Sequence, residues 1–264
     1  MKKIFLFFTL VSFLLKVEAT VNVSERLQNI SAEDQKKICY FFEKLIKQYG
    51  FGYTLFGEKP VSMLYWLAIP EYDRKRPYFS VDEDFVEAYK TWKKHQGKFS
   101  SEKYFFEERS LVVGKEYVDL ILINKSEFYK KIFLHSDLFP DHYDEKAFIN
   151  NEKVELFSKE DVGGYHLRMG VLLGYGEGNA SEFAKRTIND PKESPDWVVF
   201  KDLIRTKKNK NTPNPPVFRA NPHTQETQKL IENYSQTQEK LEDILNNENF
   251  LQIVLEEYCS AAAD

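Results

Sequence analysis

The chain has 264 residues, of which 42% are hydrophobic and 30% are charged, and its net charge is −4. These proportions exclude a disordered chain and a multi-span membrane protein, and the length suffices for one large domain or two small ones with a buried core. The acidic balance provides no basic field, so no nucleic-acid partner is expected. Two cysteines are too few for a disulfide-dense miniprotein or a four-cysteine zinc module.

The first 19 residues have the pattern of a signal peptide. Lys2 and Lys3 form a positive start, an apolar run of 12 residues follows, and Ala19 ends a Val-Glu-Ala segment suited to signal peptidase. The run is shorter than the roughly 20 residues that span a bilayer, although a retained membrane anchor is the alternative. We expect the mature protein to begin near Thr20, to be secreted or periplasmic, and to have no membrane association after cleavage.

The first half of the chain alternates helical and strand patterns. A helix is predicted to begin after Ser31, where Ser-Ala-Glu-Asp resembles a capping box, and to end at Gly50. Strand-forming residues then predict strands within 51–57 and 61–67. Apolar residues at helical spacing predict a second helix over 81–96.

The next segments predict a hairpin followed by helices. Strands over 104–113 and 116–123 are separated by Gly114 and Lys115, a two-residue turn. Three further helices are predicted, over 126–138, 160–175 and 179–189. This order predicts an α+β fold with a mainly antiparallel sheet flanked by helices and with a long C-terminal helical segment.

The composition changes near residue 205. Residues 205–222 are rich in Pro, Asn and Lys and predict a linker or surface arm between an α+β domain, 20–204, and a C-terminal helical segment, 223–259. The helical segment carries a stripe at alternating spacings of four and three, with a possible break at its asparagines, 246–249. The stripe consists of Leu230, Tyr234, Thr237, Leu241, Ile244, Glu248, Leu251, Leu255 and Tyr258.

Two placements of this stripe are open, because large apolar side chains do not all remain in water: it packs on its own domain or pairs with another chain. In an oxidising compartment, Cys39 and Cys259 either form a disulfide or remain two unpaired thiols. A bond between them would hold the tail against the first helix. We favour this intramolecular docking, and therefore a monomer.

His166 is the leading candidate for a site residue. It lies near Arg168, Tyr175 and Asn179, which together could bind a small polar ligand. With a carboxylate, for which the candidates are Glu160 and Glu177, His166 could also move a proton during catalysis. The alternative is a hydrogen-bonded histidine that packs a helix onto the sheet.

Residues 174–180, Gly-Tyr-Gly-Glu-Gly-Asn-Ala, superficially resemble a dinucleotide-binding fingerprint. The third glycine is replaced by Asn179 and the preceding segment is helical, so the pattern instead predicts a helix end followed by a new N-cap at Asn179. Lys59, before Pro60, is typical of a solvated turn, although a lysine fixed beside a pocket is the alternative.

Metal and cofactor sites are not predicted. Residues 135–144 hold two histidines and three aspartates, but their spacing matches no tight metal motif, and a helix C-terminus with a polar loop is the simpler interpretation. His135 would suit the negative end of that helix. The sequence contains no nucleophile elbow, phosphate-binding loop or zinc-protease motif.

Two blocks carry a resemblance: 56–60, Phe-Gly-Glu-Lys-Pro, and 166–180, from His166 to Ala180. At these blocks the chain resembles an uncharacterised group of exported proteins from intracellular bacteria, over about 51–185. The resemblance implies a bacterial source and no activity.

These observations predict an exported binding or protein-interaction protein without catalytic activity, whose partner is an unknown protein or a small polar ligand. The alternative is a small exported hydrolase-type enzyme that uses His166 with a nearby carboxylate.

Overall fold

The computed structural model describes residues 22–68, 82–110, 117–151, 162–189, 198–204 and 211–261. The predicted signal peptide and Glu160 lie outside these ranges. Within them, no helix combines the length and the apolar composition needed to cross a bilayer. The helices are α1 (Val23–Gln28), α2 (Ala32–Tyr49), α3 (Gly52–Leu55), α4 (Glu83–His95), α5 (Lys125–Leu134), α6 (Glu145–Asn151), α7 (Val162–Leu172), α8 (Glu177–Asn189), α9 (Gln225–Leu245) and α10 (Phe250–Tyr258). The strands are β1 (Val61–Ala68), β2 (Tyr104–Ser110), β3 (Tyr117–Asn124), β4 (Val198–Val199) and β5 (Arg219–Ala220).

Helix α2 begins and ends as its sequence predicts. The Ser31 hydroxyl accepts a hydrogen bond from the Asp34 amide at 3.1 Å, and Gly50 ends the helix in the left-handed conformation, with φ 73°. The strand predicted within 51–57 is wrong, because this segment forms the short helix α3. A Cβ on Gly52 would lie 2.8 Å from Leu241 of α9, so tertiary packing against α9 overrides the strand propensity of the aromatic residues here.

The main sheet is antiparallel, with strand order β1-β3-β2, which confirms the α+β prediction. Strand β3 is its centre, and successive side chains point to opposite faces. Leu120 and Leu122 belong to the core on one face, whereas Ile121 and Ile123 belong to the core on the other. Helices therefore cover both faces of the sheet.

The larger core lies on the Leu120 face and joins α2 and α4 to the C-terminal helices. Its centre is aromatic: the ring of Trp92 on α4 is 4.8 Å from Phe42 and 5.8 Å from Tyr258, centroid to centroid. Other rings of this core, on α2, α4, β2 and the adjoining loops, extend the contacts: Phe41, Phe51, Phe85, Phe99 and Phe106.

The smaller core lies on the Ile121 face, under α5 to α8. Phe128 of α5 and Phe148 of α6 meet edge to face, with ring centroids 5.9 Å apart. Helix α6 was not predicted from the sequence. Helix α5 ends at Leu134, and His135 takes its C-cap as expected. Helix α7 and the residue after it complete this core with Met169, Val171, Leu172 and Leu173.

The C-terminal segment folds back onto the larger core. The predicted break is confirmed, since α9 ends at Leu245 and α10 begins at Phe250. Leu241 and Leu255 are fully buried, so the stripe packs on its own chain. Cys39 and Cys259 are free, half-buried thiols. The docking therefore stands on apolar packing without a disulfide.

Residues 211–222 differ from the predicted linker or surface arm. Pro216, Phe218 and Ala220 are buried, and β5 pairs with β4. The amide of Asn214 donates to the carbonyl of Lys47 on α2 at 2.8 Å. From residue 216 to residue 220 alternate residues face inward, which is the period of a half-buried strand.

Candidate functional site

Two neighbouring cavities lie beside the end of α7. The larger one, which we call the aromatic cavity, has a volume of about 480 Å³ and lies between α7, α8 and residues 217–219. Its walls are formed mainly by apolar and aromatic side chains. The lining residues are Tyr165, His166, Met169, Gly170, Leu173, Tyr175, Asn179, Ala180, Phe183, Val217, Phe218 and Arg219.

The floor of the aromatic cavity exists because α7 and α8 cross closely. Gly170 faces Ala180 across the crossing, and a Cβ on Gly170 would lie 2.5 Å from the Ala180 Cβ. Small residues at this point let the two backbones approach. Larger side chains close to the crossing, Met169 on α7 and Phe183 on α8, also line the cavity.

The turn between α7 and α8 uses two glycines with positive φ, Gly174 at 79° and Gly176 at 83°. The predicted end of the helix is confirmed, but the predicted N-cap at Asn179 is wrong, because α8 already begins at Glu177. Two backbone amides in the first turn of α8 donate hydrogen bonds to a side chain of another helix. The Glu226 carboxylate of α9 accepts from the amides of Gly178 and Asn179, each at 3.3 Å.

Asn179 is buried and its amide group has structural partners. Its Nδ2 donates to the carbonyl of Tyr175 at 3.0 Å and to the hydroxyl of Thr227 at 3.1 Å. Its Oδ1 accepts from the amide of Asn221 at 3.2 Å. Asn179 therefore borders the cavity and also ties α8 to the start of α9, so its role in ligand binding stays a prediction.

A column of stacked rings forms one wall of the cavity. Tyr175 stacks on Phe218 with ring centroids 4.4 Å apart, and Phe218 stacks on Phe200 at 4.3 Å. Phe200 meets the edge of Tyr234, whose hydroxyl donates to the carbonyl of Gly174 at 2.8 Å. Burial raises the pKa of Tyr175 to about 12, so its hydroxyl stays protonated at neutral pH. This wall is closely packed and uncharged.

His166 lies on this cavity, as the sequence predicted, between the rings of Tyr165 at 5.5 Å and Phe183 at 5.4 Å. Burial lowers its pKa, which favours the neutral imidazole. The predicted acid partner is not assembled among the described residues. The Glu177 carboxylate instead lies 3.3 Å from Nδ1 of His135.

Arg168 is not among the lining residues, although the sequence placed it beside His166. Consecutive helical positions point in directions about 100° apart, so a residue two positions from His166 faces away from the same cavity. Arg219, on β5, is the arginine that lines the aromatic cavity.

The second cavity contains a buried lysine, and we call it the Lys59 cavity. Its volume is about 230 Å³, and it shares three lining residues with the aromatic cavity: Leu173, Tyr175 and Val217. Lys59 is only 6% exposed, so the solvated turn predicted from the sequence is wrong and the alternative, a lysine beside a pocket, describes the structure.

Burial lowers the pKa of Lys59 to about 7. Its Nζ donates to the carbonyl of Val61 and, at 3.2 Å, to the hydroxyl of Ser62. Both partners are uncharged oxygens. The removal of the ammonium from water is therefore the physical cause of the shift.

No three His, Cys, Asp or Glu side chains come together as a metal site within the described ranges. The sequence was also compared with known proteins: no protein-family model matches it, and neither a curated protein nor a solved structure matches it. The two cavities therefore provide the chemistry from which a function can be inferred.

Sequence reasoning missed most of the cavity wall. Val217, Phe218 and Arg219 were assigned to the linker because Pro and Asn surround them. The alternation of apolar and polar residues over 218–221, Phe-Arg-Ala-Asn, could have indicated the strand. Phe183 carried a weaker signal, since it lies four residues after Asn179 on the same face of the helix.

Proposed function

We propose that this protein is an exported binding protein for a small, largely apolar ligand and that it has no catalytic activity. The aromatic cavity carries the proposal. Its volume of about 480 Å³ lies in the range that protein sites for small molecules occupy, and its wall combines apolar surface with few polar groups.

The wall favours a ligand with a flat or aliphatic body. Tyr165, Phe183 and Phe218 present ring surface, and Met169 adds a thioether that adapts to different shapes. The neutral imidazole of His166 can exchange one hydrogen bond with the ligand, and Arg219, elsewhere in the cavity lining, brings a positive charge. A single polar substituent on an apolar body fits this arrangement best.

The environment of His166 supports binding over hydrolysis. Proton transfer by a histidine is helped by a carboxylate that orients the imidazole and stabilises its charged form. The rings of Tyr165 and Phe183 lie against His166, and the lowered pKa of His166 has burial as its cause. These surroundings suit a hydrogen-bonding role for the imidazole.

The proposal can be tested with a neutral fluorescent probe, N-phenyl-1-naphthylamine. We expect saturable binding with a blue-shifted emission. Phe183→Ala should weaken binding about tenfold, because one ring of the wall is lost. Phe133→Ala is the matched control, since Phe133 is 82% exposed on α5 and does not line the cavity.

Binding that Phe133→Ala abolishes and Phe183→Ala leaves intact would assign the probe to the surface of α5 and refute the proposal. Failure of the folded wild-type protein to bind the probe would refute it as well.

Export is the second part of the proposal and has a separate test. The positive start, the apolar run and the cleavage pattern before Thr20 support it. N-terminal sequencing of protein recovered outside the cytoplasm should find a start at Thr20 or within a few residues of it. An intact Met1 on that material would contradict cleavage.

A further inference from the structure

The Lys59 cavity contains a hydrogen-bond network that offers acceptors to only two of the three N–H groups of a protonated Lys59. The Ser62 hydroxyl donates to the carbonyl of Gly50 at 3.0 Å, so its oxygen is left to accept from Lys59. Its other neighbour, the Thr54 hydroxyl at 2.8 Å, can donate to the same oxygen. Together with the carbonyl of Val61, Ser62 gives Lys59 two acceptors.

Two acceptors match a neutral amine, which has two N–H groups, but an ammonium has three. When Lys59 is protonated, its third N–H has no acceptor among the described residues, and its charge has no carboxylate partner there. Because an unpaired charge is costly in a buried site, the protonated state needs a group from outside. An anionic oxygen would supply both the missing acceptor and the compensating charge.

The titratable side chains near Lys59 include three tyrosines and one glutamate. Tyr49 and Tyr175 line the cavity, and the hydroxyl of Tyr234 on α9 lies near Lys59, since a Cβ on Gly174 would be 2.5 Å from that hydroxyl and 3.3 Å from Cγ of Lys59. Burial raises the pKa of each of these tyrosines, so they remain neutral when Lys59 titrates. Glu58 is exposed, and its carboxylate accepts from the side chain of Asn233 at 3.2 Å.

The size and the wall of the cavity limit the anion. Lys59 is the one cationic side chain among its described lining residues, which favours a single negative charge over a phosphate dianion. The remaining wall is mixed: Gln48 and Tyr49 are polar, whereas five side chains are apolar. The apolar lining residues are Met63, Leu173, Pro215, Pro216 and Val217.

We infer that the Lys59 cavity binds a small monocarboxylic acid, whose carboxylate accepts a hydrogen bond from the Lys59 ammonium while its short alkyl or aryl group contacts the apolar wall. Binding takes up a proton whenever Lys59 is neutral beforehand. This second site is independent of the ligand proposed for the aromatic cavity, although the two share Leu173, Tyr175 and Val217 as lining residues.

The test uses benzoate as the probe and benzamide as its neutral counterpart, measured by isothermal titration calorimetry on the full mature chain. We expect benzoate to bind with a Kd of about 1 mM at pH 6.5, as small ligands of this size do, and benzamide to bind at least about tenfold more weakly. Titrations in two buffers with different ionisation enthalpies should show proton uptake that approaches one per benzoate at about pH 8.5. Above about pH 7.5 the Kd should rise about tenfold per pH unit.

Lys59→Met should abolish benzoate binding, while Lys36→Met, an exposed lysine of α2, should leave it unchanged. Binding of N-phenyl-1-naphthylamine to Lys59→Met reports that the variant is folded. Phe183→Ala should leave benzoate binding intact. The proposals for the Lys59 cavity and for the aromatic cavity can therefore be refuted independently.

Three results on the wild-type protein would overturn the inference without any variant. The first is a failure to bind benzoate at a concentration of about 10 mM, which is about 10 times the expected Kd. The second is an equal affinity for benzoate and benzamide. The third is a benzoate affinity that does not change between about pH 6.5 and about pH 8.5.

Discussion

On one face of the sheet Trp92 and Phe41 are completely buried among other rings, whereas on the other face Met169 and Leu173 border open volume. The same strand β3 supplies both faces. The difference arises from what covers each face. Long amphipathic helices close the larger core, and close-packed aromatic residues leave little space there for a ligand. The smaller core meets the returning segment 211–220 in a way that leaves two cavities, and these carry the candidate chemistry.

The largest expected effect tests whether the larger core carries the stability. Trp92→Ala should lower the free energy of unfolding by about 3–5 kcal/mol, because it removes a fully buried ring from its aromatic neighbours. Met169→Ala should cost about 2 kcal/mol, since the side chain already borders a cavity. Urea denaturation measures both. Equal losses would remove the distinction between the two cores.

The second effect is a pH dependence of the free energy of unfolding, which arises from Lys59 in the Lys59 cavity. Lys59 loses its proton near pH 7 when folded, but in the unfolded chain it keeps the proton up to its ordinary pKa of 10.5. Between these values the unfolded chain binds more protons, so the free energy of unfolding rises with pH. Relative to Lys59→Met, the wild type should gain up to about 1.4 kcal/mol per pH unit between about pH 7.5 and about pH 9.5. Denaturation curves across this range suffice, and parallel pH profiles for the two proteins would contradict a buried, titrating amine.

The third effect concerns the turn beside both cavities. Gly174→Ala should destabilise the protein by about 1–3 kcal/mol. The alanine would have to adopt the positive φ of Gly174, and its Cβ would lie 2.5 Å from the Tyr234 hydroxyl. Gly97→Ala is the control, because a Cβ added there would have no atom of the described residues within 4 Å and its φ is not in the left-handed range. Thermal melts that shift equally for both variants would show that the turn is not under this constraint.

The smallest stability effect should fall at the rim of the aromatic cavity. Phe183 is 45% exposed, so Phe183→Ala should change the free energy of unfolding by no more than about 1 kcal/mol. The same variant should weaken probe binding about tenfold, because the ring forms part of the cavity wall. A large loss of stability with unchanged binding would make Phe183 a core residue and would remove its role in recognition.

Sequence patterns predicted the elements whose signals are local. Ser31 and Gly50 bound α2 correctly, and a run of strand-forming residues predicted β3, which the structure places at the centre of the sheet. The patterns failed where distant residues decide: α3 is helical under Leu241, and Phe218 is buried by a stack with Tyr175. Local propensity carries no information on such partners.

At the candidate site, too, local signals were predictive and contacts with distant residues were not. His166 was identified because its residue type and its neighbouring glycines are visible in the sequence, and the structure places it on the aromatic cavity. The roles of Asn179 and Glu177 could not be predicted, since each depends on a partner far along the chain, Thr227 for the first and His135 for the second. Lys59 was ambiguous for a similar reason, because its burial depends on segments that follow more than about a hundred residues later.

The closure of the larger core by α10 has a consequence for how the chain acquires its structure. Tyr258 stacks on Tyr104 with ring centroids 6.1 Å apart and meets the edge of Trp92, so residues far apart in the sequence complete one aromatic cluster. Contacts between such distant positions form slowly, because a long loop must close before they contribute. While the chain is being synthesised, Trp92 therefore lacks the ring of Tyr258 until α10 has emerged. A product truncated before Phe250 lacks α10, so its larger core is left with an open hydrophobic surface, which favours aggregation.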